Sequence, residues 1–299
     1  MSHLRRLTKN NLINPPKYVT EGLQYETVMG SVSYGVSNNE SDMDIYGFCI
    51  PTKEMIFPHI KGEISGFGRQ TQRFEQFQQH HIKENDKEYD FSIYSIIKYF
   101  QLCMDCNPNM IDSLFTPRRC VTYTSRIGEM VRENRKLFLH KGSWFKFKGY
   151  SFSQMHKMRI KNPKPESKRY ESVLTHGYDL KFAYHVVRLL LEIEQILVEH
   201  DLDLERNREQ LKSIRRGEWE LEEIENYFSS KERELESLYT SSKLQHSPDE
   251  GKIKQLLINC LEEYFGSLGN CLILPNSTRL ILDDLQTIIN KYNVPEQDK

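Results

Sequence analysis

Between residues 25 and 50 the chain runs through an order of elements that few folds can use. Tyr25 to Met29 reads as a short buried strand and is broken by Gly30-Ser31. Val32 to Val36 reads as the first turn or two of a helix, and Ser37-Asn38-Asn39-Glu40-Ser41 as a polar loop. Asp42 to Ile50 then alternates in the strand manner and stops at Pro51. Residues at i and i+2 of a strand share a face, so Asp42 and Asp44 project together while Met43 and Ile45 turn toward the core. Two carboxylates held this close repel each other, which favours a bound cation, and their hard oxygens suit Mg2+. Gly30 lets the backbone come close to a ligand, and Ser31 offers a hydroxyl and an N–H. If Ser31 opens a helix, the free N–H groups and the dipole there favour a phosphate. An isolated Asp-x-Asp is mostly a solvated turn. In the order strand, Gly-Ser turn, loop, strand with two acids, it is the minimum equipment for moving a nucleotide.

A two-metal site needs a third acid. Gln70 to Ile82 and Lys87 to Ile93 read as a hairpin turning at Glu84-Asn85-Asp86, although the Gln-rich first half reads equally well as a helix. Ile93, Ile96, Ile97, Phe100 and Met104 repeat at helical spacing and predict an amphipathic helix over Phe91 to Asp105. Asp90, at the end of the second hairpin strand, is the expected third ligand; Glu88, two residues earlier on the same face, is the fallback. The chemistry this set would support is in-line attack on the α-phosphate of a nucleoside triphosphate such as ATP, with release of pyrophosphate. Of two Mg2+ (or Mn2+) ions, one would activate the attacking oxygen and the other hold the leaving group.

The 299 residues are 38% hydrophobic and carry a formal net charge of -1, so global charge selects no partner. The N-terminal residues are polar and basic, without the apolar core of a secretion signal, and no apolar run approaches a membrane span. The six cysteines are scattered, as suits reduced thiols in the cytoplasm. Cys103-Met104-Asp105-Cys106 is a lone pair in a helical apolar pattern and reads as core packing. Asn14-Pro15-Pro16 separates an N-terminal arm, residues 1–22. Residues 23–122 read as a catalytic domain of α+β class built on a small mixed sheet. Residues 123–299 read as a mainly helical domain closing the nucleotide and acceptor cleft. Within it, Tyr178 to His200 is the clearest helix, with Glu205 to Arg216, Trp219 to Tyr239, Lys252 to Phe265 and Asp283 to Tyr292 following and Leu202 and Leu204 as a short strand.

From Lys136 to Arg169 there are ten Lys or Arg and one acid, Glu166, with Trp144, Phe145, Phe147, Tyr150 and Phe152 interleaved. A groove for single-stranded nucleic acid needs charge for the backbone and rings for stacking. On that reading Lys157, Arg159 and Lys161 contact phosphates, of RNA or of the triphosphate; on the other, the segment is a solvated cationic face over core aromatics. Lys181, His185 and Arg188 recur at i, i+4 and i+7 and share a helix face, with Asp179 near its start. The stripe either lines a nucleotide cleft or makes salt bridges to neighbouring helices. His80-His81 are adjacent on a strand, so they point apart and read as surface; Glu218 to Glu225 reads as a solvated helix.

Gly30, Ser31, Asp42 and Asp44 match the signature of the DNA polymerase beta superfamily of nucleotidyltransferases, Gly-Ser, a spacer and Asp-x-Asp on the next strand. More narrowly, Gly30-Ser31-x-x-Tyr34-Gly35 with Ser41-Asp42-x-Asp44-x-x-Gly47 resembles the branch associated with RNA repair, the RlaP-like family. Asp90-Phe91-Ser92-Ile93-Tyr94-Ser95 with Lys98 and Phe100 resembles its segment carrying the third acid. Asn107-Pro108-Asn109 with Leu114-Phe115 resembles its Asn-Pro element, and Tyr178-Asp179-x-Lys181-x-Ala183-x-His185-x-x-Arg188 its helical signature. The Asn-Pro element is often followed by Glu-x-Leu-Phe; here the acid is Asp112. The resemblance spans about residues 25 to 220 and implies a polymerase-beta-like catalytic module. It implies Asp42, Asp44 and Asp90 as catalytic metal ligands, and Gly30, Ser31, Tyr34, Lys181, His185 and Arg188 around the nucleotide, where the basic segment would add Lys157. The expected acceptor is an RNA or tRNA 3' end. The alternatives are a protein hydroxyl, as in toxin-antitoxin relatives that transfer AMP, or a catalytically silent nucleotide or RNA sensor.

Overall fold

Strand β1 (Leu23–Val28) is buried along its whole length, which places it inside a sheet rather than at an edge. In the computed structural model, which describes residues 2–37, 42–160, 168–268 and 277–292, it lies in a five-stranded mixed sheet of order β3-β4-β2-β1-β5. The other strands are β2 (Met43–Cys49), β3 (Gln76–Glu84), β4 (Lys87–Ser95) and β5 (Val121–Thr124). β1 pairs antiparallel with β2 and β5, and β3 with β4; β2 and β4 run parallel. The chain is thus α+β.

Alternation sorts the sheet's two faces. Ile45, Cys49, Phe91 and Ile93 point to one side, where Leu4 and Leu7 of helix α1 (His3–Lys9) cover them. Glu26 caps α1: its carboxylate accepts the Ser2 hydroxyl at 2.8 Å and the His3 and Leu4 N–H groups at 2.6 and 2.9 Å. A short helix, α2 (Lys17–Glu21), adds Val19 to the same side, and α3 (Lys53–Ile56) follows β2. Phe48 and Tyr94 point to the other side, into the large helical body.

Phe91 to Ser95 is strand, not the start of a helix. Phe91 and Ile93 are fully buried at alternate positions, and α4 (Ile96–Met104) begins only where the Ser95 hydroxyl caps the Lys98 N–H at 3.2 Å. The apolar spacing that ran through Ile93 and Ile96 joined the last strand residues to the first helical ones. Asp90 therefore stands within β4 rather than at its end. The hairpin itself turns at Asn85 and Asp86, both at positive φ, as expected.

Asn107 caps α5 (Pro108–Phe115), and α6 (Arg126–Glu133) follows β5. Helix α7 (Ser143–Ile160) buries Trp144, Phe147, Ser151, Met155 and Met158, a helical stripe, against α9 (Leu180–Glu199). α8 (Lys168–His176) precedes α9, which is capped by Asp179 and buried on most sides among α7, α8, α10 (Arg208–Arg215) and α11 (Leu221–Ser241). Leu202 and Leu204 are buried in a turn and form no strand. α12 (Glu250–Phe265) packs on α4 and α6, and the last described helix spans Ser277–Tyr292. Cys103 and Cys106 are both buried in the core, the latter within 3.0 Å of His140 Nε2 and of the Ser143 hydroxyl. Cys271 lies outside the described residues.

Candidate active site

Asp44 and Asp90 are register partners on the parallel strands β2 and β4, so their side chains leave the sheet on one face. Asp42 sits one residue before β2, on the face of Asp44. Burial, the neighbouring Asp90 and the neighbouring Asp42 push the Asp44 carboxyl up to about 6, while Lys181 and His80 pull it back down. Asp42 and Asp44 line one cavity and offer hard oxygens of the kind a divalent ion of the Mg2+ class takes, while the Asp90 side chain gathers with His81 and Glu88 instead.

Gly30 earns its place sterically. Its φ is +64°, and a Cβ there would lie 2.2 Å from Asp44 Oδ2. The glycine thus makes room for the Asp44 carboxylate, where the sequence suggested room for a ligand. Val32 to Val36 is not the start of a helix: one 3-10 turn, Gly30–Val32, is followed by a turn through Gly35 at φ +66°. Three residues carry no appreciable macrodipole, so a phosphate here would meet Ser31's own groups rather than a helix end. Two arginines hold the turn by its carbonyls. Arg119 donates to Val32 O at 3.0 Å and to Glu205 at 2.6 Å, and Arg215 donates to Val36 O at 2.9 Å. Ser41 lies outside the described residues.

The turn and the acids open into a cavity of about 560 Å3. Gly30, Ser31, Asp42, Asp44 and Tyr46 form one wall, and Arg169, Lys181, Tyr184 and His185 from α8 and α9 face them. Tyr34, Arg188 and Arg215 also line it, with Asn109 of the Asn-Pro element and Asp179. Lys181 is exposed on this wall and makes no ion pair among the described residues. Arg169 lies 3.8 Å from Asp179 and over the Phe182 ring. The arrangement sets cations across from acids, which is what a metal–triphosphate complex requires. Burial, then the charges of Arg188 and Lys181, hold the pKa of His185 well below the usual value. Arg169, Tyr184 and Arg215 had no mark in the sequence pattern that set them apart from other helical residues.

Behind the wall is an ion cluster. Arg188 donates to Asp112 at 2.6 Å, to Glu192 at 3.1 Å and to the Tyr34 hydroxyl, which itself donates to Asp112 at 2.5 Å. Asp112, Arg188 and Glu192 are all buried. Burial pushes both carboxyls up, and Glu192 furthest. The two alternatives for the helical stripe, cleft and salt bridges, are therefore divided among its members: Lys181 faces the cavity, and Arg188 is chiefly a buried bridge. Asp112, the departure in the Asn-Pro element, is the acid that joins Tyr34 to Arg188. Two buried polar atoms of residues that line the cavity, the Tyr184 hydroxyl and Arg188 Nε, have no hydrogen-bond partner among the described residues. Such atoms are rare unless a ligand or water meets them.

Asp90 and Lys157 do not line the cavity. A bulge explains the first. Gln79 pairs with Phe91 and Ile82 with Tyr89, so His80 and His81 together oppose Asp90. The His81 N–H donates to Asp90 Oδ1 at 2.7 Å, His80 Nδ1 lies 3.6 Å from it, and His81 Nδ1 contacts Glu88. Strand alternation had these histidines pointing apart; the extra residue brings both to the acids. Lys157 is exposed on α7, because the stripe of Trp144, Phe147 and Met158 sets which face packs. Some cations of the basic segment are paired with acids. Lys148 pairs with Glu232 at 2.8 Å, Arg159 with Glu225 at 2.8 Å and Lys136 with Asp201 at 2.6 Å. Trp144 and Phe147 are core, while Phe145 and Phe152 are exposed. Lys161 lies outside the described residues.

Residues 3–259 match the model of one family, RlaP, the RNA repair pathway DNA polymerase beta family. The chain belongs to that family, and with its fold this marks a polymerase-beta-type nucleotidyltransferase of RNA repair. Among solved structures it is similar to a nucleotidyltransferase-like protein from Exiguobacterium sibiricum 255-15. The identity is 10% over 87% of this chain and 78% of that one, with a TM-score of 0.28. A search of curated proteins finds no match.

Proposed function

We propose that the chain transfers a nucleoside monophosphate from a nucleoside triphosphate to the 3' hydroxyl of an RNA or tRNA, with residues 23–122 as the catalytic domain and residues 123–299 closing over it. One observation carries this reading: Asp44, in register with Asp90 and beside Asp42, faces Lys181, Arg169 and Arg215 across a single cavity. Asp42, Asp44 and Asp90 would hold Mg2+ or Mn2+, which when bound supplies Lewis-acid stabilisation of the phosphate charge. Lys181, Arg169 and Arg215 bind and orient the triphosphate, and the Tyr184 hydroxyl offers a further donor. Tyr34 holds the turn to Asp112 while its ring faces the cavity. In the reaction the acceptor oxygen bonds to the α-phosphorus as its proton leaves. The bond from the α-phosphorus to the bridging oxygen breaks, and pyrophosphate departs.

Incubation with each labelled nucleoside triphosphate, Mg2+ or Mn2+, and total RNA or protein tests the reading. Label is expected on RNA. Asp42→Asn and Asp44→Asn should each lower the rate by at least about 10³-fold, since the lost stabilisation amounts to several kcal/mol. Incorporation at the wild-type rate would remove these acids from the mechanism, and label on protein would move the acceptor.

A further inference from the structure

The β3–β4 bulge gathers more chemistry than a polymerase-type site uses. His81 Nδ1, a Glu88 oxygen and an Asp90 oxygen all lie within 4.8 Å of one another. Ligands about 2.0–2.2 Å from one ion are separated by somewhat less than this, so small side-chain adjustments bring the three onto a shared centre. His80 Nδ1, 3.6 Å from Asp90, stands within reach as a fourth donor. The His81 N–H fixes Asp90 Oδ1 at 2.7 Å, which orients the carboxylate and leaves its second oxygen for other use.

The backbone presents the imidazole from a left-handed position. His81 has φ +59°, a left-handed conformation that costs a side-chain-bearing residue free energy and costs glycine none. A bulge needs only the extra residue, and glycine is the usual occupant of a left-handed bulge position. Here the position carries an imidazole instead, and that imidazole contacts Glu88. Asn85 and Asp86 of the same hairpin are also left-handed, and His81 shares with them a residue type enriched in that region.

We propose that the bulge is a distinct transition-metal site, in which His81, Glu88 and Asp90 bind one ion of the Zn2+ or Co2+ type with His80 beside it. The donor set separates it from the neighbouring acids. Asp42 and Asp44 offer only carboxylate oxygen, which suits Mg2+, whereas an imidazole nitrogen with two carboxylates selects the later first-row metals. The proposal does not rest on nucleotide transfer, because none of its four residues lines the cavity. Asp90 faces both ways, being the register partner of Asp44 and the hydrogen-bond partner of the bulge.

The test uses the full chain carrying Asp42→Asn and Asp44→Asn, which disables the neighbouring acids and makes the result independent of the transferase reading. Co2+ alone is titrated and followed by its visible absorption. About one equivalent should bind, and excess Mg2+ should not displace it. His81→Gly in this background should weaken Co2+ binding at least tenfold while leaving the melting temperature equal or higher, because glycine relieves the left-handed backbone. Glu88→Gln should weaken binding similarly. A folded double variant that takes up no Co2+, displacement by Mg2+, or equal Co2+ affinity with and without the His81 imidazole would each overturn the proposal.

Discussion

The Asp112 carboxylate and the Arg188 guanidinium meet at 2.6 Å with side-chain exposures of 0% and 6%. The pair joins α5 to α9, and through Tyr34 it reaches the Gly30-Ser31 turn. Segments far apart in sequence are thereby fixed to one charge. Arg188→Met leaves Asp112 and Glu192 buried with no cation, and should cost about 3–5 kcal/mol of stability in denaturant unfolding. Adding Asp112→Asn should recover a large part of that loss. A double variant no more stable than the single one would mean that the carboxylates are not what Arg188 balances.

Gly30→Ala combines two faults, a left-handed φ and a Cβ at 2.2 Å from Asp44 Oδ2. The backbone fault alone should cost about 1–2 kcal/mol. The steric one must move either the turn or the carboxylate, so Mg2+ binding measured by calorimetry should weaken along with stability. Gly35→Ala also sits at positive φ but is 3.0 Å from Glu205 rather than from an acid of the site. It should lower stability and leave Mg2+ affinity nearly unchanged.

Acid should destabilise the protein partly through His185. Its folded-state pKa is depressed, by burial first and by Arg188 and Lys181 next. As the pH falls below the ordinary 6.5, the unfolded chain therefore takes up a proton that the folded one refuses, and stability drops. His185→Gln keeps a polar side chain without that titration. Unfolding free energies at pH 8 and pH 5.5 should differ less in the variant than in the wild type. Equal losses would show that the folded chain does not hold the His185 pKa below that of the unfolded chain.

Lys181→Ala and Arg169→Ala should each raise KM for the nucleoside triphosphate by roughly tenfold to a hundredfold, the range for a lost hydrogen bond to a charged group. Lys157→Ala, off the cavity wall, should leave that KM unchanged. Steady-state kinetics across the three variants decides whether the cavity or α7 meets the triphosphate.

The first half of the site could be read from the sequence because its signal is local. Asp42 and Asp44 are two residues apart, and strand alternation alone puts them on one face. Their meeting with Asp90 needs the parallel pairing of β2 with β4, which joins residues some 46 positions apart and leaves no periodic trace. The histidines of the bulge are at the surface as their sequence suggested, but one extra residue reverses alternation and brings both to the acids, and nothing in His80-His81 announces it. Helical spacing that ran through Ile93 hid the strand-to-helix junction at Ser95, where the cap, not the apolar pattern, sets the start. The motif around Tyr178 to Arg188 did locate the opposite wall, but it could not tell Lys181, facing the cavity, from Arg188, turned inward. That distinction rests on Asp112 and Glu192, acids brought there by other helices or other turns.

The order β3-β4-β2-β1-β5 leaves β3 and β5 as the sheet's borders. β5 is four residues long, and β3 is interrupted by its bulge and carries Lys83 and a run of Gln and His. A short border and a kinked, polar one make poor templates for a further strand. The residue that disturbs the β3 ladder at His81 thus also guards against edge-to-edge joining of sheets from different molecules, and straightening it would expose the protein to aggregation.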